Sequence, residues 1–351
     1  MRGSGGEVSL ILGIETSCDD TGAAVVGADM GVRANVVGSQ EIVHRRHGGV
    51  VPELASRRHS ENIIPVIDAA VEEAGVRLAD IDLVAVTRGP GLVGSLLVGF
   101  VAAKGLAWSL GCPFVGVNHV AAHLWAAVLD SGHPQLPSPA VCLIVSGGHT
   151  ELIHYRDGRG FYLGGTRDDA AGEAYDKVAR LLGLGFPGGP AVDRLAASYR
   201  GPLLELPRPM MDSGDFDFSF SGLKTAVALA AESDRDAAGE PNAPRLAASF
   251  QAAAVDVLVT KTLAAAERVG AEHLVMAGGV AANSLLRERV EREAPRRGLG
   301  LCVPPIHYCT DNAAMVAAAG YRRFGLLGAD SLSMDVDPSL GVRRDGGGFD
   351  L

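Results

Sequence analysis

The chain has 351 residues, of which 47% are hydrophobic and 21% are charged, so it is long enough for about two folded domains and too apolar to be disordered. Its formal net charge of −10 argues against a protein that binds nucleic acid through bulk positive charge. Its five cysteines are scattered and form no CxxC pair, which is not typical of a disulfide framework and indicates a reducing compartment.

The N-terminal segment does not fit a signal peptide, because only a short apolar run, Leu10–Ile14, follows the glycine-rich residues. The longest apolar stretch, Gly89–Ala103, is rich in glycine and shorter than the roughly 18 residues that a membrane span requires. We therefore expect a cytoplasmic protein without a membrane partner.

Predicted strands and helices alternate along the chain, which favours an α/β protein with largely parallel sheets. In the first part we predict strands at Leu10–Glu15, Gly22–Val26, Leu83–Thr87 and Phe114–Val117, and helices at Glu61–Gly75, Gly94–Leu110 and after the N-cap residue Asn118. In the second part we predict strands at Val141–Val145, Glu151–Tyr155, His273–Met276 and Leu301–Pro304, and helices at Ala170–Leu182, Gly222–Ser233, Pro244–Val269, Ala281–Glu293 and Asn312–Phe324.

Both parts open with a strand, a polar turn and a second strand, which suggests two lobes of similar topology. The segment Asp130–Pro139, with three prolines, is typical of a boundary. We predict an N-terminal lobe over residues 1–135, a C-terminal lobe over 136–330, and a frayed tail over 331–351. The prediction leaves open whether the helix near residues 312–325 packs against the first lobe.

A pair of histidines, His119 and His123, predicts a metal site. Residues four apart on a helix share one face, so both imidazoles can reach one ion. A third, hard ligand is needed, and Asp311 is the candidate because it lies in a turn before a helix. The alternative for Asp311 is a helix cap, and the alternative for the histidines is a polar helix end.

Glycine-rich turns follow two predicted strands, at Ser146–Thr150 and at Ala277–Val280. Such turns let backbone N–H groups approach an anion or a nucleotide closely, although a single one is more often only a tight turn. The basic stretch His44–His59 is either a solvated helix face or a local nucleic-acid contact. Cys18 has no base beside it in the sequence and carries little weight as a nucleophile.

Many of these segments occur in order over residues 10–325. They are GIETSCDDT from Gly13, GGVVPELASR from Gly48, GPGLVGSLLVG from Gly89, HVAAH from His119, VSGGHT from Val145, DDAAGEAYDK from Asp168, FPGGP from Phe186, FSFSGLKT from Phe218, VMAGGVAAN from Val275 and CTDN from Cys309. As a set they resemble the bacterial branch of the tRNA N6-adenosine threonylcarbamoyltransferase family, which older naming calls O-sialoglycoprotein endopeptidase.

The resemblance implies a two-lobed actin-like ATPase fold with duplicated lobes and a central cleft. It implies transfer of a threonylcarbamoyl group from threonylcarbamoyl-adenylate to N6 of the adenosine beside the anticodon, in tRNAs that read codons beginning with A. It also implies two partners, a related actin-like subunit and a small P-loop ATPase.

The resemblance assigns residues position by position. It implies metal ligation, with Fe²⁺ as the first expectation and Zn²⁺ as the second, by His119, His123 and Asp311. It implies substrate binding by Ile144, Val145, Ser146, Gly147, Gly148, Asp176, Gly189 and Asn283, and Asp193 lies close to these. Asp19 and Asp20 are the catalytic candidates, and Asp19 is preferred because many relatives have Glu at the second position of this pair.

Three other functions remain open. A metallopeptidase would use the histidine pair, but the glutamate of an HExxH motif is absent from it. A small-molecule kinase of the same fold would need ATP and magnesium and would not carry the histidine pair. A nucleotide-binding scaffold for other subunits would not depend on His119.

Overall fold

The computed structural model describes residues 8–47, 49–235, 239–341 and 349–350. It divides into two compact units. The first unit comprises Met1–Leu136, Thr310–Arg343 and Phe349–Leu351, and the second comprises Pro137–Cys309 and Arg344–Gly348. The helix predicted near residues 312–325 therefore belongs to the first unit, although it follows the second unit in the sequence. The predicted tail glycines Gly346–Gly348 lie outside the described residues.

The first unit is built on a five-stranded sheet in the order β3-β2-β1-β4-β5. The strands are β1 Leu10–Glu15, β2 Asp20–Gly27, β3 Val32–Ser39, β4 Leu83–Gly89 and β5 Phe114–Asn118. Strands β1, β2 and β3 pair antiparallel, and β1, β4 and β5 pair parallel. The helices are α1 Glu41–Arg45, α2 Pro52–Glu73, α3 Val93–Leu110, α4 His119–Trp125 and, from the end of the chain, α10 Ala313–Leu327.

Helix α10 lies directly on β1, and a glycine makes this close approach possible. A Cβ atom added at Gly13 would be 2.2 Å from the carbonyl oxygen of Ala313 and 2.8 Å from the nitrogen of Ala317. No side chain fits in that space, so only glycine allows the helix this close. The packing brings the start of α10, with Asp311 just before it, to the end of β1 that carries Glu15.

The segment that we expected to fray from Ser331 instead lies along the first unit up to Gly341. Met334 and Val336 pack against its core. The Arg88 side chain donates to the Asp335 carbonyl at 2.8 Å, and the Asp337 N–H donates to the Arg88 carbonyl at 3.0 Å. Two apolar contacts and paired backbone groups hold the segment, and composition alone does not reveal them.

Five strands of the second unit repeat the sheet order of the first, as β8-β7-β6-β9-β10. Here β6 pairs antiparallel with β7 and parallel with β9, as β1 does with β2 and β4. The strands are β6 Ala140–Val145, β7 Thr150–Arg156, β8 Arg159–Gly165, β9 His273–Ala277 and β10 Gly300–Cys302. A further short strand, β11 Phe349–Asp350, belongs to the stretch assigned to the first unit. The helices are α5 Ala171–Leu181, α6 Gly188–Ser198, α7 Ser221–Ser233, α8 Ala243–Val269 and α9 Ser284–Arg296. Short 3₁₀ helices are Leu78–Asp80, Ala126–Val128, Gly279–Ala282 and Ile306–Tyr308.

Several predicted bounds were wrong. The prediction omitted β3 and β8, whose partly exposed residues give a weak apolar pattern. Helix α2 begins at Pro52 rather than Glu61. A proline at the first helical position suits a helix start, and the exposed Arg57 and Arg58 weaken the apolar pattern of the first turns. Helix α6, which begins within a Gly-Gly-Pro run, was not predicted.

By length and composition, α3 and α8 could each cross a membrane. In α8, 78% of the most apolar 18-residue window is buried, as in the core helix of a water-soluble protein, whereas in α3 only 33% is buried. Two such helices are weak evidence for a membrane protein.

Candidate functional site

Helix α4 presents the two predicted histidines to one place. It follows β5 without a loop, and the Asn118 side chain caps it by accepting from the N–H groups of Val120 and Ala121 at 2.9 and 3.1 Å. The predicted N-cap is confirmed. The cap fixes the start of the helix, so His119 and His123 lie one turn apart, with ring centroids separated by 4.7 Å.

Asp311 reaches the same place from the turn before α10. The cap of α10 is the neighbouring Asn312, whose Oδ1 accepts from the Met315 N–H at 3.0 Å. The alternative role predicted for Asp311 was that of a helix cap, and Asn312 caps the helix instead. The carboxylate of Asp311 is directed to the histidines, with Oδ1 3.5 Å from His119 Nε2 and 3.3 Å from His123 Nε2.

The donor set fits a divalent metal ion. One ligand atom from each of His119, His123 and Asp311 can be chosen so that all three lie within 4.8 Å of one another. The His123 ring is 1% exposed, yet neither of its nitrogens has a hydrogen-bond partner. A buried polar atom without a partner is costly, and a metal ion would satisfy one of these nitrogens. Two imidazoles and a carboxylate leave positions open for other ligands.

Behind His119 lies a buried carboxylate that the sequence prediction missed. Glu15, at the end of β1, is 1% exposed. One of its oxygens accepts from the Ser17 N–H at 2.5 Å. The other accepts from the Thr87 hydroxyl at 2.7 Å and lies 2.9 Å from His119 Nδ1. Because a carboxylate only accepts, it holds the proton on Nδ1 and leaves Nε2 of His119 directed to Asp311.

The buried histidine and carboxylates of this cluster change one another's pKa values. Burial by itself disfavours a charged His119, but the neighbouring Glu15 and Asp311 carboxylates outweigh it and hold the pKa of His119 well above its usual range. Burial likewise opposes ionisation of Asp311, but His119 and then His123 lower its pKa well below 3.8. Burial opposes ionisation of Glu15 as well, but His119 lowers the pKa of this carboxyl below 4.5, so both carboxylates are ionised at neutral pH and suited to a cation.

The turn after β1 carries the two catalytic candidates, and a histidine from α2 holds it. His59 is fully buried; its Nε2 donates to the Cys18 carbonyl at 3.0 Å, and its Nδ1 lies 2.8 Å from the Thr21 hydroxyl. Asp19 and Asp20 are partly buried. Burial, and then the charge of Asp19, raise the pKa of Asp20 to about 6.

In the second unit, the two predicted glycine turns meet at the carboxyl ends of adjacent parallel strands. Ile144 in β6 pairs with Ala277 in β9, and Gly278, at φ +90°, lies against the Val145 carbonyl, where a Cβ atom would be 2.5 Å away. Gly147 and Gly148 are exposed, with nothing within 4 Å of an added Cβ. Ser146 accepts from the Gly172 N–H at 3.1 Å, which joins this turn to the start of α5.

The other predicted substrate residues join the starts of α6 and α9. Asp176 accepts from the Gly188 N–H at 2.7 Å, which places Gly189 beside it at the start of α6. Asp193, on α6, accepts from the Ser284 N–H at 3.1 Å. Asn283 caps α9, accepting from the Leu286 N–H at 3.0 Å.

The basic stretch His44–His59 is not one continuous exposed face. His44 and His59 are buried, whereas Arg57 and Arg58 are exposed, and Arg58 pairs with Glu61 at 2.8 Å. Gly48 and the side chain of Arg45 lie outside the described residues. Burial raises the pKa of the Cys18 thiol, which fits the low weight given to it as a nucleophile.

The family model for tRNA N6-adenosine threonylcarbamoyltransferase matches residues 31–318. The enzyme of that name from Moorella thermoacetica is 50% identical over 94% of this chain and 96% of its own length. That from Symbiobacterium thermophilum is 52% identical over 95% of this chain and 97% of its own length.

The chain belongs to the tRNA N6-adenosine threonylcarbamoyltransferase family. Its fold is that of the actin-like ATPases, as predicted. Component A of (R)-2-hydroxyglutaryl-CoA dehydratase from Acidaminococcus fermentans aligns with a TM-score of 0.55 at 15% identity, covering 90% of this chain and 99% of that one. The activity in the family's name transfers a threonylcarbamoyl group to tRNA, which is neither peptide hydrolysis nor phosphoryl transfer, and this disfavours the peptidase and kinase alternatives.

In this member of the family, the raised pKa of Asp20 predicts a pH-dependent stability. Its folded value of about 6 exceeds the ordinary 3.8, so the fold favours the protonated acid. The unfavourable effect of ionisation is absent below about pH 4, grows as the pH rises and is complete above about pH 6. The stability of Asp20→Asn relative to wild type should therefore increase between about pH 4 and about pH 6. Above about pH 6 the difference between the two proteins should stay constant.

Thermal unfolding of the two metal-free proteins across this pH range is the measurement. Asp19→Asn is the matched control, because removing the neighbouring charge should move the Asp20 transition to lower pH without abolishing it. A stability difference between wild type and Asp20→Asn that does not change with pH would contradict the prediction.

Proposed function

We propose that this chain transfers the threonylcarbamoyl group from threonylcarbamoyl-adenylate to N6 of the adenosine beside the anticodon, in tRNAs that read codons beginning with A. One observation carries the proposal. A chain that matches the family over nearly its whole length also brings His119, His123 and Asp311 together around a space suited to a metal ion.

The reaction balances without another reactant. The N6 amine attacks the carbamoyl carbonyl carbon, a new C–N bond forms, and the bond from that carbon to the phosphate oxygen breaks. AMP leaves, and the amine loses a proton. Because the exocyclic amine is a poor nucleophile, placing it against the carbonyl is a large part of the catalysis.

His119, His123 and Asp311 would hold the ion, with Fe²⁺ as our first choice, since two histidines and one carboxylate are a common ligand set for that metal, and Zn²⁺ as the second. When bound, the metal supplies open positions for oxygen donors such as the carboxylate and hydroxyl of the threonyl group. Glu15 orients His119 for this task.

The second unit would bind the adenylate. Its binding residues are Ile144, Val145, Ser146, Gly147, Gly148, Asp176, Gly189, Asp193 and Asn283. The open glycine turn after β6 suits the approach of a phosphate or ribose to the backbone. Asp176 holds the start of α6 and Asp193 holds the start of α9 through hydrogen bonds to backbone N–H groups. These bonds would fix the two helix starts that border the adenylate.

We assign proton removal to the pair after Cys18, and within this pair we now prefer Asp20. A general base works best when its pKa is near the operating pH. The pKa of about 6 suits Asp20 to this role, whereas Asp19 was preferred only because many relatives have Glu at the second position of the pair. Asp19 would then assist by raising the pKa of its neighbour.

The proposed partners are tRNA, a related actin-like subunit and a small P-loop ATPase. Helix α3 offers an apolar face to a subunit: Val93, Leu97, Val101 and Trp108 are 55%, 40%, 63% and 76% exposed. Exposed apolar side chains along one helix are typical of a protein interface. A subunit that covers this face would also account for the low burial of α3.

The test is mass spectrometry of nucleosides from unmodified tRNA after incubation with the metal-loaded chain, threonylcarbamoyl-adenylate and the companion proteins. The expected product is N6-threonylcarbamoyladenosine, formed only in tRNAs that read codons beginning with A. The matched control replaces Asp311 with Asn. Absence of the nucleoside, or equal yield from the control, would refute the proposal.

A further inference from the structure

A buried amide in the second unit links two of the proposed adenylate-binding residues. Gln251 lies in the first half of α8, a helix whose neighbouring side chains form the core. It is 4% exposed. A primary amide in such surroundings costs free energy unless both of its ends are hydrogen-bonded. In Gln251 both are, and neither bond is to its own helix.

The partners of Gln251 are Asp193 on α6 and Asn283 at the start of α9. Its Nε2 donates to Asp193 Oδ1 at 3.0 Å, and its Oε1 accepts from Asn283 Nδ2 at 2.9 Å. Ser284, next to Asn283, closes the ring because its hydroxyl donates to Asp193 Oδ1 at 2.7 Å. Three helices are therefore connected through one buried side chain.

The groups at the two ends of this hydrogen-bonded chain, the Asp193 carboxylate and the Leu286 N–H, determine the orientation of each amide between them. Asp193 is a carboxylate and only accepts, so Gln251 must present its Nε2 to it and its Oε1 to Asn283. Asn283 must then direct Nδ2 to Gln251 and Oδ1 to the Leu286 N–H, as observed at 3.0 Å. We infer that the second Nδ2 hydrogen of Asn283 serves an acceptor atom of the ligand.

We propose that Gln251 is a positioning residue for adenylate binding, which sets Asn283 as a hydrogen-bond donor and fixes Asp193 relative to it. The proposal rests on the proposed function, since the adenylate is the ligand that these residues would hold. Gln251 itself does not touch the ligand. Without it, the Asn283 amide can rotate, and the Asp193 carboxylate loses a neutral donor.

The experiment measures the affinity of the full-length, metal-loaded chain for AMP by calorimetry. Gln251→Met keeps the volume and removes both hydrogen bonds, and it should weaken AMP binding about tenfold or more, because two buried polar partners lose their bonds. Gln251→Glu should weaken it further, because a carboxylate then faces Asp193. The KM for threonylcarbamoyl-adenylate should rise by the same factor, with unchanged metal affinity at His119 and His123.

A swap separates positioning from general damage to the fold. In Asp193→Asn with Gln251→Glu, donor and acceptor are exchanged, so the ring can form again. The double variant should bind AMP at least about tenfold more tightly than Gln251→Glu alone, approaching Asp193→Asn. Wild-type AMP affinity in Gln251→Met, or no recovery in the swap, would overturn the inference and leave the proposed function standing. A wild-type chain that does not bind AMP would overturn both.

Discussion

Asp311→Asn should lower the affinity for Fe²⁺ or Zn²⁺ by roughly 100-fold or more, beyond the effect of changing a residue behind a ligand. Asp311 is the one anionic group among the three proposed ligands, and its carboxylate lies 3.3 and 3.5 Å from the two imidazoles. A neutral amide oxygen keeps the shape of the side chain and loses the charge that attracts the cation. Transfer should fall in parallel.

Competition with a chelator of known affinity, followed by metal analysis, measures the first effect, and single-turnover transfer measures the second. Asp19→Asn is the matched control, since it makes the same chemical change at a nearby carboxylate that is not a proposed ligand. Its metal affinity should stay within about threefold of wild type. An Asp311→Asn variant that binds the metal as tightly as the control would show that the carboxylate is not a ligand.

Glu15→Gln should lower metal affinity by about 10- to 100-fold without touching any of the three proposed ligands. The Glu15 carboxylate accepts from three donors, at Ser17, Thr87 and His119. A glutamine has only one oxygen, so its NH₂ group must face at least one of these donors, and His119 Nδ1 then faces either that NH₂ group or a neutral oxygen in place of a carboxylate. Stability should also fall by about 1–3 kcal/mol, because a buried donor is left unpaired.

Thr87→Val is the matched control for Glu15→Gln. It removes one donor from the same carboxylate and leaves the contact with His119 intact, so stability should fall while metal affinity changes little. Metal titration and thermal unfolding of both variants separate the two effects. Equal metal affinity in wild type and Glu15→Gln would mean that Glu15 serves only the packing of β1.

Local features of the sequence predicted a large part of this site. The spacing of His119 and His123 needs only the period of a helix, and the cap at Asn118 needs only a polar residue before an apolar run. The glycine turns could be placed because each follows a buried strand directly. These inferences use neighbours within about five positions, and at that distance chain geometry is largely determined by residue type.

The partners that act over long separations could not be predicted in the same way. Glu15 contacts His119 across 104 positions, and the contact depends on the parallel pairing of β1 with β4 and of β4 with β5, the strand that precedes His119. Gln251 stands within a helix whose sequence predicts only a core element. In both cases one signal was available, a polar side chain within a run of buried apolar ones.

The most direct test of the central claim is single-turnover transfer from threonylcarbamoyl-adenylate to tRNA by the chain prepared at stepwise metal occupancy, from metal-free to one ion per chain. If catalysis depends on an ion at His119, His123 and Asp311, the amount of product should rise in proportion to metal occupancy. It should reach its maximum at one ion per chain. Full-rate transfer by the metal-free chain would contradict it.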